Sequence, residues 1–153
     1  MKCKLSVIAA LSAVLALSAC GGSSGDDAGG KTPVSSPAAL TKTDTTVGTG
    51  AEAVSGSCAA VDYTLWLYNS ASANFKGTQV ETGSVTFAIG AGRVIAGFDQ
   101  GVTGMKVAGK RTVLIPSSLG YGVAGQYPVP PNSGLVFELS LKEIKNLSAA
   151  LCK

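Results

Sequence analysis

Few residues in this chain can do chemistry, and most of those are aromatic. There is no histidine among 153 residues, which removes Ser-His-Asp and Cys-His nucleophilic catalysis and nearly all zinc sites. The aromatic residues are Tyr63, Trp66, Tyr68, Phe75, Phe87, Phe98, Tyr121, Tyr127 and Phe137, and among them lies a mostly apolar stretch, Arg93 to Gly101, "RVIAGFDQG". Asp99 is its single acid, expected to be solvated on a helix. Such side chains either pack a core or floor a dry site that excludes water and offers a phenol as hydrogen-bond donor. Taken singly, aromatics are mostly buried packing residues. Tyr121 is set apart by its place in "GYG", at the tip of an expected loop. Gly97, Gly101 and Gly104 are read as packing or turn positions, because their spacing matches no phosphate-binding motif.

Several strands must position these residues. Val61, Tyr63, Leu65 and Leu67 alternate with Asp62, Thr64, Trp66 and Tyr68, a strand period. Ser84–Gly90 and Lys110–Pro116 predict two more. Gly134–Ile144 predicts the clearest, with Leu135, Phe137, Leu139 and Leu141 on one face and Glu138, Ser140 and Lys142 on the other. One-sided alternation implies an antiparallel sheet with one wet face. The dry face needs a cover, and Val94 to Val102 is the stretch that can form a short helix. The expected fold class is α+β, an antiparallel sheet curved around one short helix.

The totals agree with one modest domain plus tails. Charged residues make up only 14% and glycines number 20, a composition that favours strands and turns. "MKCKLSVIAALSAVLALSAC" has a basic start and an apolar run too short for a comfortable membrane span, as in a secretory leader. Its end, Leu17-Ser18-Ala19-Cys20, resembles a bacterial lipobox, which implies cleavage before Cys20 and lipidation of its thiol. The alternative is an ordinary leader cut nearby. Gly21 in place of Asp favours the outer membrane in a Gram-negative source. The domain boundaries expected are 1–19 for a removed signal, 20–40 for a Gly/Ser/Pro-rich tether and 41–153 for the folded domain. The tether's composition cannot offset its ordering entropy, and about 17 such residues would span roughly 20–25 Å. Removing Lys2 and Lys4 leaves 10 basic residues against 9 acids, a balance of +1, so nucleic acid is not an expected partner. Cys58 and Cys152 remain after Cys3 and Cys20 are accounted for, and in an oxidising compartment they are expected to form a disulfide. The alternative is two thiols held apart.

Several of these stretches resemble the FKBP-type peptidyl-prolyl isomerases. "VDYTLWLY", "FAIGAGRVIAGFDQGVTGMKVAGKR", "LIPSSLGYGVAG" and "VPPNSGLVFELSL" follow the family pattern in order, as does the entrance "VGTGAEAVSGS". The resemblance covers about Thr41 to Ile144. It implies an antiparallel half-barrel of five or six strands around one short helix, and cis–trans interconversion of the bond before proline without metal or cofactor. Tyr63, Phe98, Tyr121 and Phe137 are the implied catalytic residues, and Phe75, Lys76, Phe87, Val94, Ile95 and Val129 the implied substrate-binding residues. Implied partners are proline-containing unfolded or exported proteins and macrolide inhibitors, with the membrane reached through the lipid on Cys20. A monomer is expected.

The departures from the family pattern are informative. Lys76 replaces a pocket aspartate, Val85 stands where an aromatic is usual, and Leu65 stands where glycine is usual. Phe98 replaces the common tryptophan floor, a mild change. The loop "QYPVPP" is about one residue shorter than the common form. Lys76 implies weakened catalysis and macrolide binding, and with Val85 and Leu65 it supports a competing reading, a non-catalytic module that holds proline-containing segments.

Overall fold

In the alternating segment that begins at Cys58, β-branched and aromatic residues extend into one long strand. The computed structural model describes residues 34–145 and 151–152, so the leader and Cys20 lie outside the described residues. Strands β1 (Thr41–Thr46), β2 (Cys58–Tyr68), β3 (Lys76–Ala88), β4 (Lys110–Ile115) and β5 (Leu135–Lys145) form one sheet in the order β1-β4-β5-β2-β3. Every pairing is antiparallel. The register slips between Asp44 and Thr46, between Ala60 and Val61, and twice between Leu65 and Tyr68. Extra residues of this kind bend and twist a strand, and here they curve the sheet around α1 (Ala96–Val102), the one α-helix among the described residues. The fold is the expected α+β half-barrel with five strands.

Two strand segments exceed the sequence expectation. β1, "TKTDTT", is exposed along its whole length, so it carries no apolar alternation to betray it. The first half of β3, from Lys76 to about Gly83, is nearly as polar. Both are sheet edges, where polar residues discourage further pairing.

The inner face packs on α1 through an unusually close approach. A Cβ on Gly97 would lie 2.2 Å from Cγ2 of Ile115, and one on Gly101 would lie 3.0 Å from Cγ2 of Val113. With no side chains there, α1 settles onto β4 and presses Phe98 and Val102 into a core that includes Val61, Leu65, Phe87, Met105, Leu139 and Leu141. Burial of one such large side chain contributes about 1.5–3 kcal/mol.

Arg111 of β4 fastens this packing from below. Its Nε and Nη2 donate to the two carboxylate oxygens of Asp44 at 2.6 and 3.1 Å. Its Nη1 donates to the Gly101 and Thr103 carbonyls at 2.8 and 3.1 Å. The planar fork suits both tasks. It satisfies carbonyls that the end of a helix leaves without intrahelical partners.

Cys58, at the start of β2, and Cys152 are joined by a disulfide with Cα atoms 5.6 Å apart. Upstream of β1, Ser35 donates through its hydroxyl to the Tyr68 carbonyl at 2.9 Å and accepts from the Gly134 amide at 2.9 Å. The hydroxyl of Ser36 accepts from the Ser117 amide at 2.9 Å. The chain therefore engages the domain several residues before Thr41, inside the stretch assigned to the tether.

Two outcomes follow from this packing. Gly97→Ala must lift α1 off Ile115, and urea unfolding is expected to show a loss of about 1–3 kcal/mol. Asp44 is held below its ordinary value of 3.8, chiefly by the hydrogen bond from Arg111. Its contribution is present above about pH 4 and is lost as pH falls through the lowered value. With the carboxylate partly exposed, Asp44→Asn is expected to cost about 1 kcal/mol or less at pH 7. The difference from the parent should shrink in acid unfolding as pH falls below about 4.

Candidate functional site

α1 brings Phe98 against the inner face of the sheet, and the rings around it meet edge to face. Phe98 lies 5.7 Å from Tyr63 at 86°, 5.1 Å from Phe137 at 80° and 5.6 Å from Phe87 at 63°. These arrangements place ring edges against ring faces and add about 0.5–1.5 kcal/mol per pair beyond burial. Above the rings is a cleft of about 460 Å³, lined by Tyr63, Leu65, Glu81, Val85, Gly92, Arg93, Val94, Ile95, Phe98, Tyr121, Gln126 and Phe137. The size suits a small-molecule or peptide side-chain ligand.

Of the ten residues expected to catalyse or bind, six line this cleft: Tyr63, Phe98, Tyr121, Phe137, Val94 and Ile95. Four do not. Phe87 is buried behind Phe98 and supports the floor from beneath. Val129 is likewise buried in the core, and its backbone exchanges hydrogen bonds with Gln126 across the loop. Phe75 has a left-handed backbone, φ 60°, in a turn that directs its ring onto Tyr68, stacked at 5.5 Å and 7°. Tyr68 ends β2, whereas Tyr63 lies at its middle.

Lys76 is the largest correction. Its ammonium sits 4.2 Å from the centre of the Trp66 ring and is paired with Glu138. Leu65 and Phe137, the sequence neighbours of Trp66 and Glu138, line the cleft. Alternation then puts Trp66, Glu138 and Lys76 on the opposite, outer face. A ring face and a carboxylate offer the ammonium more than an apolar cleft can.

The carboxylate of the cleft comes from Glu81, which the sequence reading did not single out. Gly83 lies directly across from Tyr63 in the β2–β3 ladder. A Cβ there would come within 3.3 Å of the Tyr63 hydroxyl, so the phenol passes over the bare glycine. It then donates to Oε1 of Glu81 at 3.0 Å. The signal available was parity, since Glu81, Val85 and Phe87 fall on one face of a strand.

Both phenols hold their protons more tightly than usual. Burial is the main cause for Tyr63, reinforced by its hydrogen bond to Glu81. Burial again leads for Tyr121, with the Glu81 charge adding to it. The Tyr121 hydroxyl has no hydrogen-bond partner among the described residues, so its proton is available to a ligand. The wall formed by Val94 and Ile95 is fixed by Asp99, which was expected to be solvated. Both of its carboxylate oxygens accept from the Gly90 amide, at 3.0 Å each, tying the loop before α1 to the helix.

A chain with this short helix inside a curved antiparallel sheet has counterparts among known proteins. A family model described as FKBP-type peptidyl-prolyl cis-trans isomerase matches residues 50–142. An FK506-binding protein of Neisseria meningitidis serogroup A is 42% identical over 98 residues, covering 63% of this chain and 88% of the relative. FK506-binding protein 1B of Neurospora crassa is 38% identical over 103 residues, covering 64% and 91%. The crystal structure of AtFKBP13 is similar with a TM-score of 0.60 at 33% identity, covering 72% of this chain and 96% of that one. A peptidyl-prolyl cis-trans isomerase from Pseudomonas syringae pv. tomato gives a TM-score of 0.59 at 25% identity, covering 69% and 75%. The chain belongs to the FKBP-type peptidyl-prolyl cis-trans isomerases.

Proposed function

We propose that the cleft over Phe98 is the isomerase site, acting on X-Pro bonds of exported proteins from a lipid anchor at the membrane. The observation that carries the site is the pairing of a ring floor with the unengaged Tyr121 hydroxyl. The barrier to rotation, about 18–20 kcal/mol, is amide resonance. Resonance places charge on the carbonyl oxygen and the nitrogen, and a dry cleft stabilises that separation less than water does. The twisted amide, having lost resonance, is bound better than either planar form, which is what acceleration requires. In this reading the proline ring rests on Phe98 between Tyr63 and Phe137, and Tyr121 donates to the substrate carbonyl. Val94 and Ile95 form the wall. The same cleft would accept a macrolide.

Export and anchoring rest on the leader, the Leu17–Cys20 lipobox and the polar stretch after it. The Gly21 residue supports the outer membrane facing the periplasm. Cys58 and Cys152, bonded in the domain, suit an oxidising compartment. Metabolic labelling with palmitate should mark the parent and leave Cys20→Ala unlabelled.

The catalytic reading is tested on the domain with a protease-coupled assay of short X-Pro peptides. Phe98→Ala is expected to lower kcat/KM by at least about 10-fold, and Tyr121→Phe by about 3- to 10-fold, the scale of one hydrogen bond. A folded domain with no rate above background would instead support the proline-segment holding module. Because both phenols ionise above their ordinary 10.0, their deprotonation should produce no fall in kcat/KM between pH 7 and 9. A decline from this source should begin only above about pH 10.

A further inference from the structure

We propose that Glu81 makes the cleft selective for charge, favouring substrates with a basic residue beside the proline and disfavouring acidic ones. The inference rests on the cleft being the isomerase site. Three observations carry it. Glu81 lines the cleft, and its carboxylate is held in place by the Tyr63 hydroxyl at 3.0 Å. Lys76, the cation expected in the cleft from its sequence position, is committed to Trp66 and Glu138 on the other face. Arg93, the other charged residue of the lining, is exposed and forms no ion pair among the described residues, so it is not anchored toward the cleft as Glu81 is.

A fixed carboxylate at the rim of an apolar cleft acts on whatever flanks the bound proline. An ammonium or guanidinium brought near it gains attraction, and a second carboxylate meets repulsion, both reduced by the partial exposure of the site. The hydrogen bond from Tyr63 matters because it orients the acid without neutralising it. Discrimination of roughly 2- to 5-fold is the scale for such a partly solvated pair. It should fade as salt shortens the Debye length.

The test uses peptides identical except for Lys, Ala or Glu, placed in one series before the proline and in another after it. In low salt the parent is expected to give a Lys-to-Glu ratio of kcat/KM of about 2–5 in at least one series. The ratio should fall toward 1 in Glu81→Gln and below 1 in Glu81→Lys, and should shrink for the parent in 0.5 M salt. Using the ratio cancels any general loss that a substitution causes, and thermal unfolding confirms that each variant is folded. A parent ratio of 1 in both series, or a ratio that Glu81→Gln leaves unchanged, overturns the proposal. If the Ala peptides bind but are not turned over, the isomerase reading fails, and the charge preference is then read from Kd by NMR titration with the same peptides. Turnover of Ala peptides with no charge preference overturns only the role given to Glu81.

Discussion

The distance between α1 and β4 is the constraint on which the rest of the molecule depends. Helices normally pack with side chains between them and their neighbours, at spacings those side chains set. Here Gly97 and Gly101 remove that layer, and the helix lies almost directly against Ile115 and Val113. Phe98, the residue between them, then sits deep enough to meet Tyr63, Phe87 and Phe137 at once. A helix displaced by one methyl's thickness would leave gaps between those rings. Arg111 holds the C-terminal end of the helix, and Asp99 within it ties the helix to the preceding loop at Gly90.

The site has a consistent division of labour among its polar groups. Asp99, Arg111 and Asp44 are occupied with structure, joining loop, helix and edge strand. Lys76 and Glu138 are occupied with each other outside the barrel. That leaves the interior with few polar atoms, and two of them, the Tyr63 hydroxyl and Glu81, are already joined. Tyr121 is the phenol left to a ligand. Relative to the family pattern, the side chain gained at Leu65 and the ring lost at Val85 line the same cleft, so one change offsets the other in volume.

Much of this is legible in the sequence. β2, β4 and β5 follow from alternation, α1 from the need to cover a dry face, and the ring floor from motif order around Phe98. What was illegible has identifiable causes. β1 and the start of β3 are polar on both faces, so periodicity had nothing to register. Correspondence of sequence position puts Phe75 and Lys76 in the cleft, yet the Phe75 ring stacks on Tyr68 from a left-handed turn and the Lys76 ammonium lies over Trp66. A position in an alignment does not specify which way a turn sends its side chains. Phe87 lies behind the ring floor and Val129 is buried in the core, and residue type alone does not tell a lining side chain from a buried one. Glu81 was overlooked because it sits in a polar run, where its parity with Val85 and Phe87 was the only hint.

The bond between Cys58 and Cys152 joins positions 94 residues apart, and so closes β2 through β5 into a covalent ring. Among the described residues, the loop between β4 and β5 carries the most exposed apolar side chains of that ring, with Val123 at 81% and Tyr127 at 99%. Protruding loops are where proteases cut most readily. A single cut there opens the ring without parting it: the two pieces stay linked at Cys58, and β5 keeps both neighbours within reach at high effective concentration. In a protease-rich compartment the domain would carry its damage as a nick rather than lose a fragment, and the pieces would separate on a gel only after reduction.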